Sequence, residues 1–186
     1  KTITGITKAN PGVVTGSFAT SSYPVIESTA VYTSAGSNVT TAPISMPANI
    51  VTGNMLVMVV KLGSTGTATT PTGWTQSSTR SSTGNSYIYY KVSDGTENTS
   101  INLTVTTSHV SAITYRISNY EGTPESSFTA SNTNDPISLT TSWGSTKNLF
   151  IAACTTRQSN NAFTAAPSGY SNLVTVGDPS SGTTAH

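Results

Sequence analysis

Residues 54–62 read NMLVMVVKL, an almost unbroken apolar run. A strand with one wet face alternates apolar and polar residues. A run that does not alternate needs cover on both faces. At this length it is far short of the ~20 apolar residues of a transmembrane helix. It reads instead as a buried central strand. The rest of the chain supports that reading. Ser and Thr make up roughly a third of the residues, Leu is scarce, and good helix formers never cluster. Thr, Val, Ile and Tyr suit a pleated, half-buried surface, and Gly, Pro, Asn and Ser supply turns.

The body begins near Tyr23. VIESTAVYTS and NVTTAPISM read as strands, with Pro43 and Pro47 at edges or ends. In SYIYYKVS (86–93), Ile88, Tyr90 and Val92 fall on one face and Tyr87, Tyr89 and Lys91 on the other, before an Asp94-Gly95 turn. INLTVTT (101–107) points Ile101, Leu103 and Val105 inward. AITYRISNY (112–120) groups Ile113, Tyr115 and Ile117 opposite Arg116. A polar stretch, 121–135, follows. ISLTTS, LFIAACTT and YSNLVTV complete about ten strands, with no convincing helix. The single Cys154 permits no internal disulfide and reads as a small buried hydrophobe.

One phrase occurs twice. PTGW (71–74) and PSGY (167–170) each follow an apolar run and a polar loop, MLVMVVKL in the first case and LFIAAC in the second. Pro-Thr/Ser-Gly is a turn signal, and the aromatic opens the next strand. Trp74 and Tyr170 are therefore expected as equivalent structural plugs at the ends of two comparable strand–loop–turn units of one sandwich. The units are unequal. Three good strands follow Trp74, whereas only sixteen residues follow Tyr170. Either a neighbouring subunit supplies closing strands, the first half is larger, or the sequence is truncated. The strand after Tyr170 is expected not to be paired on both sides within this chain.

The stretch from about 30 to 175 resembles a recurrent β-sandwich module of tailed-phage and prophage virion proteins. GNMLVMVVKL, PTGWTQ, YIYYKVSDGTE, AITYRISNYEG, NLFIAA and PSGY carry the likeness. The opening ITGITKANPGVVTGS separately resembles the start of small β modules in phage tail and virion proteins. Asn54 stands where that family usually has an acidic residue, and its members usually run on past the second turn. The resemblance implies a non-enzymatic virion component: a capsid decoration, a head or tail fibre, or a tail-surface domain.

The residues offer little chemistry. The seven carboxylates, Glu27, Asp94, Glu97, Glu121, Glu125, Asp135 and Asp178, fall mostly in turns and polar loops. Glycoside hydrolysis would need a pair facing across a cleft. His109 and His186 lack a G-x-S-x-G elbow nearby. One Cys and two distant His do not make a zinc site, and DGTEN (94–98) lacks the EF-hand spacing. With a net charge of +1 and scattered Lys and Arg, nucleic acid is not an expected partner.

The expected architecture is an all-β antiparallel sandwich, jelly-roll-like, with a short N-terminal β arm. It divides into an arm or ribbon at 1–22, the sandwich at 23–176 and a flexible tail at 177–186. The expected function is structural and non-enzymatic, on the surface of a virion. Partners are other virion proteins and copies of the chain itself, joined through strand edges and the arm. No cofactor, metal or membrane is expected. The alternative is a carbohydrate-binding adhesin that contacts a surface glycan through Trp143, Tyr87 or Tyr89, with Trp74 as a further stacking candidate. An accessory module of a polysaccharide-degrading enzyme is a third reading.

Overall fold

The computed structural model describes residues 23–63, 65–81, 85–128, 138–144, 147–156, 165–178 and 183–185. The expected arm, 1–22, lies outside them. Seven strands of six to nine residues form the body: β1 (Val25–Thr33), β2 (Val39–Ser45), β3 (Met55–Leu62), β4 (Thr75–Arg80), β5 (Ser86–Val92), β6 (Ser100–Ser108) and β7 (Val110–Ser118). Three short strands follow: β8 (Thr155–Thr156), β9 (Val176–Asp178) and β10 (Thr183–Ala185). No helix occurs among the described residues. The chain is an all-β antiparallel sandwich.

The main sheet runs β1-β7-β3-β5-β4, with β3 at its centre. All eight β3 residues are buried. Alternation in β3 is hidden because both faces are covered. Leu56, Met58, Val60 and Leu62 enter one core with Tyr87, Tyr89, Val110 and Ala112. Met55, Val57 and Val59 enter a second with Ile113, Tyr115 and Ile117. The two antiparallel ladders, to β5 and to β7, hold the strand on both edges.

The front face is covered by a two-stranded sheet, β2-β6, whose Ala42, Ile44, Leu103 and Val105 complete the first core. Pro43 sits within β2, which among the described residues pairs only with β6, so the missing N–H interrupts no second ladder there. The free side of β6 is closed by residues 67–69, through Thr69 N–H to Thr104 C=O and Thr106 N–H to Thr67 C=O, both 2.9 Å.

The back face is covered differently. Leu149, Ile151, Ala153 and Val174 pack on the second core, joined by the buried Val176. Residues 149–153 turn alternate side chains inward yet are not a strand; only Thr155–Thr156 of LFIAACTT pairs. The described part of ISLTTS, 138–142, is not a strand, and YSNLVTV reaches strand geometry only at Val176. Among the described residues the second unit contributes only the short strands β8 and β9 and no sheet to match the first. Its apolar residues serve as side-chain cover for a sheet the first unit has already completed.

Of the expected tail, 177–186, only 177–178 and 183–185 are described. Thr183–Ala185 lies between β8 and β9 as the middle strand of a small sheet. Residues 170–175 form no strand, and β9 pairs only with β10 among the described residues. Cys154 is exposed, not buried, because the alternation that turns Ala153 inward turns Cys154 outward.

Candidate functional site

The two repeated turns share one geometry. Trp74 N–H donates to Pro71 C=O at 3.1 Å, and Tyr170 N–H to Pro167 C=O at 3.0 Å. Gly73 and Gly169 sit at φ +79° and +84°, as the third position of a type II turn requires. The aromatics then diverge. Trp74 is buried in the first core and leads directly into β4. Tyr170 is half-buried and belongs to neither core cluster.

Tyr87 and Tyr89, considered above as partner contacts, are removed from the surface. Both point into the first core, stacked with centroids 5.8 Å apart. Tyr87 Oη accepts from Ala68 N–H at 3.3 Å. Burial pushes the Tyr89 phenol well above its ordinary range, with Tyr87 adding to the effect. These rings face inward because the residues alternating with them, Ile88 and Tyr90, pack on the back core. The period-2 pattern of 86–93 separates the two faces, and it is the Tyr87/Tyr89 face that is buried, while Ile88 and Tyr90 are half-buried and Val92 is exposed.

Trp143 is the candidate that stays at the surface, 48% exposed. It occupies the third position of a turn closed by Gly144 N–H to Thr141 C=O at 3.2 Å. Its indole Nε1–H donates to Asn148 Oδ1 at 2.7 Å. Because the indole can only donate, the Asn148 amide is oriented with its oxygen toward the ring. Its Nδ2 donates to Gly144 C=O at 2.9 Å and reaches Thr141 Oγ1 at 3.4 Å. At the residue before Trp143, Ser142 N–H donates to Glu125 Oε2 at 3.0 Å, and the bonds from Ser142 hold the Glu125 carboxyl below its ordinary range.

A second polar cluster closes the β5–β6 end. Lys91 Nζ lies 3.0 Å from Glu97 Oε1 and 3.5 Å from Asp94 Oδ2. Glu97 also accepts the N–H groups of Asp94 and Gly95, and Asp94 accepts that of Thr96. The cluster is internally satisfied and ties a turn. Among the described residues no group of three or more His, Cys, Asp or Glu could hold a metal ion. No helix there is long and apolar enough to cross a membrane.

The main sheet ends in two unlike edges. β4 is polar throughout, carries a bulge between Gln76 and Ser78, and ends on Arg80. Ser77 and Ser78 hydroxyls are tied to Ser126 Oγ at 2.7 and 2.6 Å. These are the devices that keep an edge from pairing. β1 has a bulge between Ile26 and Ser28, and Glu27 beside it. Beyond the bulge, Thr29–Thr33 is regular, uncharged and exposes Val31. Among the described residues nothing pairs with its outer side.

No family model, curated protein or solved structure matches this chain.

Proposed function

We propose that the chain is a non-enzymatic structural module exposed on a phage-like particle, and that it assembles through strand addition at β1. The observation that carries this reading is the contrast between the edges. One end of the main sheet, β4, is bulged, polar and tied off; the other, β1, offers beyond its bulge and Glu27 an uncharged ladder, Thr29–Thr33, with Val31 exposed. An open strand edge supplies backbone donors and acceptors for a strand from another chain, and its side chains set specificity. The virion setting rests on the sequence resemblance alone.

The test is cryo-electron microscopy of intact particles carrying either the natural chain or Val31→Lys. Val31 is exposed, so the substitution leaves the core intact while placing a charge where an added strand would pack. Ordered copies on the particle surface, lost with Val31→Lys, support the reading. Absence of the natural protein from particles defeats the virion setting, and unchanged occupancy of the variant defeats assembly through β1. Copies spread over a head lattice indicate decoration; a few at one vertex or along a tail indicate a fibre.

A further inference from the structure

An exposed aromatic ring is by itself unremarkable on a protein surface. What distinguishes Trp143 is that its indole N–H is held by a side chain that is itself tied to the same turn. The Asn148 side chain uses its oxygen on the indole and its nitrogen on Gly144 and Thr141. That amide has no other evident task than to hold the ring and its turn. A ring already fixed in place loses little conformational entropy when something stacks on it.

The surroundings narrow what that something is. Thr141, Ser142 and Gly144 share the turn with Trp143 and Asn148 bonds its indole, so the residues that hold the ring are small or polar. That suits a ligand with one small flat apolar face and many hydroxyls better than an apolar peptide. Glu125 accepts the N–H of Ser142, the residue before Trp143, and those bonds hold its carboxyl below the ordinary range. Such a group has about four acceptor sites, more than Ser142 uses, and can take bonds from ligand hydroxyls. A second exposed aromatic belongs to the same region. Tyr23 is 62% exposed, and the Lys147 ammonium lies 5.8 Å from its ring centroid. Lys147 adjoins Asn148 in sequence and takes a left-handed backbone, φ +56°. The Glu125 carboxylate on Ser142 and the Lys147 ammonium on Tyr23 offset each other, which favours a neutral ligand over a charged one.

We infer that Trp143, held by Asn148 and preceded by Ser142 with its bond to Glu125, is the centre of a binding site for a neutral oligosaccharide. One sugar ring stacks its C–H face on the indole, and a hydroxyl donates to Glu125. Trp143, Asn148 and Glu125 lie outside β1, and the test for each proposal substitutes different residues, so either can fail without the other.

The two tryptophans make the test direct. Trp74 is buried and reports the fold; Trp143 is exposed and reports the site. The full chain is titrated with soluble cello-, malto-, chito- and galacto-oligosaccharides while tryptophan emission is followed. The expected result is a saturable blue shift with at least one of them. Trp143→Ala removes the shift and leaves the melting transition in place. Asn148→Ala, which frees the ring, and Glu125→Gln each weaken binding on the order of tenfold. The inference is overturned if none of the sugars shifts the emission at roughly 10 mM, conditions that detect even millimolar affinity. It is equally overturned if the shift survives Trp143→Ala, or if Trp143 is covered by self-association without sugar.

Discussion

Lys91 Nζ and Glu97 Oε1 stand 3.0 Å apart and join the end of β5 to the start of β6. The Glu97 side chain is only 4% exposed. Burial alone would raise its carboxyl, but the bond from Lys91 and the amides of the turn outweigh that and lower it. Thr96, more than any other group, lowers Asp94, and the bond to Glu97 raises Lys91.

Stability is expected to fall on the acid side. A carboxylate whose pKa is lowered by folding contributes fully above its unfolded value, about 4.3 for Glu, and loses that contribution as pH falls through the folded value. Lys91, raised by folding, contributes below its ordinary range and so stays constant in this window. The melting temperature is therefore expected to be flat from neutrality down to about pH 5 and to decline below it. Glu97→Gln should flatten the acid limb and cost about 1 kcal/mol or less at pH 7, since Lys91 is partly solvated. An acid limb identical in the variant would show that the pair contributes nothing.

Gly95→Ala is expected to destabilise by more than about 1 kcal/mol. Gly95 has φ +85°, and a Cβ there would meet Thr52 Oγ1 at 2.6 Å and Thr52 N at 3.0 Å. Thr52 cannot simply turn away, because its hydroxyl donates to Asp94 C=O at 2.8 Å. Gly122→Ala is the control: it shares the left-handed backbone, φ +76°, but meets nothing within 4 Å. Chemical denaturation should rank Gly95→Ala below Gly122→Ala.

Tyr89→Phe is expected to be neutral or stabilising, by up to about 1 kcal/mol. The Tyr89 hydroxyl is buried without a hydrogen-bond partner among the described residues. Removing it spares a desolvated polar atom and keeps the stack on Tyr87. A loss above about 1 kcal/mol in thermal unfolding would mean the hydroxyl has a role in the core.

Trp74→Ala and Tyr170→Ala should separate sharply. Emptying the Trp74 site leaves a large cavity in the front core and should cost about 3–5 kcal/mol. Tyr170 lies outside both cores and should cost well under half as much. Equal losses would restore the two aromatics to equivalent roles.

This contrast also marks what could be read from the sequence. NMLVMVVKL identified the central strand, because only a strand covered on both sides tolerates eight buried residues in succession. The turns were legible for a local reason: Pro-x-Gly dictates backbone geometry whatever surrounds it, and both turns form. What followed each turn was not legible. TQSSTR pairs with a β5 edge that is waiting for it, whereas LFIAAC and YSNLVTV lie over a sheet whose edges are elsewhere. Alternation records which side chains point inward, and a segment can alternate without a ladder partner. Tyr87 and Tyr89 were misread for a related reason. Period 2 separates two faces of a strand but does not say whether either meets water. Trp143 could be singled out as an aromatic in a polar stretch, but Asn148, five residues on, carried no signal of its own.

The two covers of β3 also imply an order of opening. β3 is held by hydrogen bonds along both edges, and its amides are expected to exchange with deuterium only when the whole domain unfolds. Residues 149–153 rest on the sheet through Leu149, Ile151 and Ala153, with no ladder among the described residues. Their amides should exchange through a local lifting of that layer, at far lower free energy. The back of the sandwich is then a detachable lining, and the molecule has a built-in first step by which it comes apart.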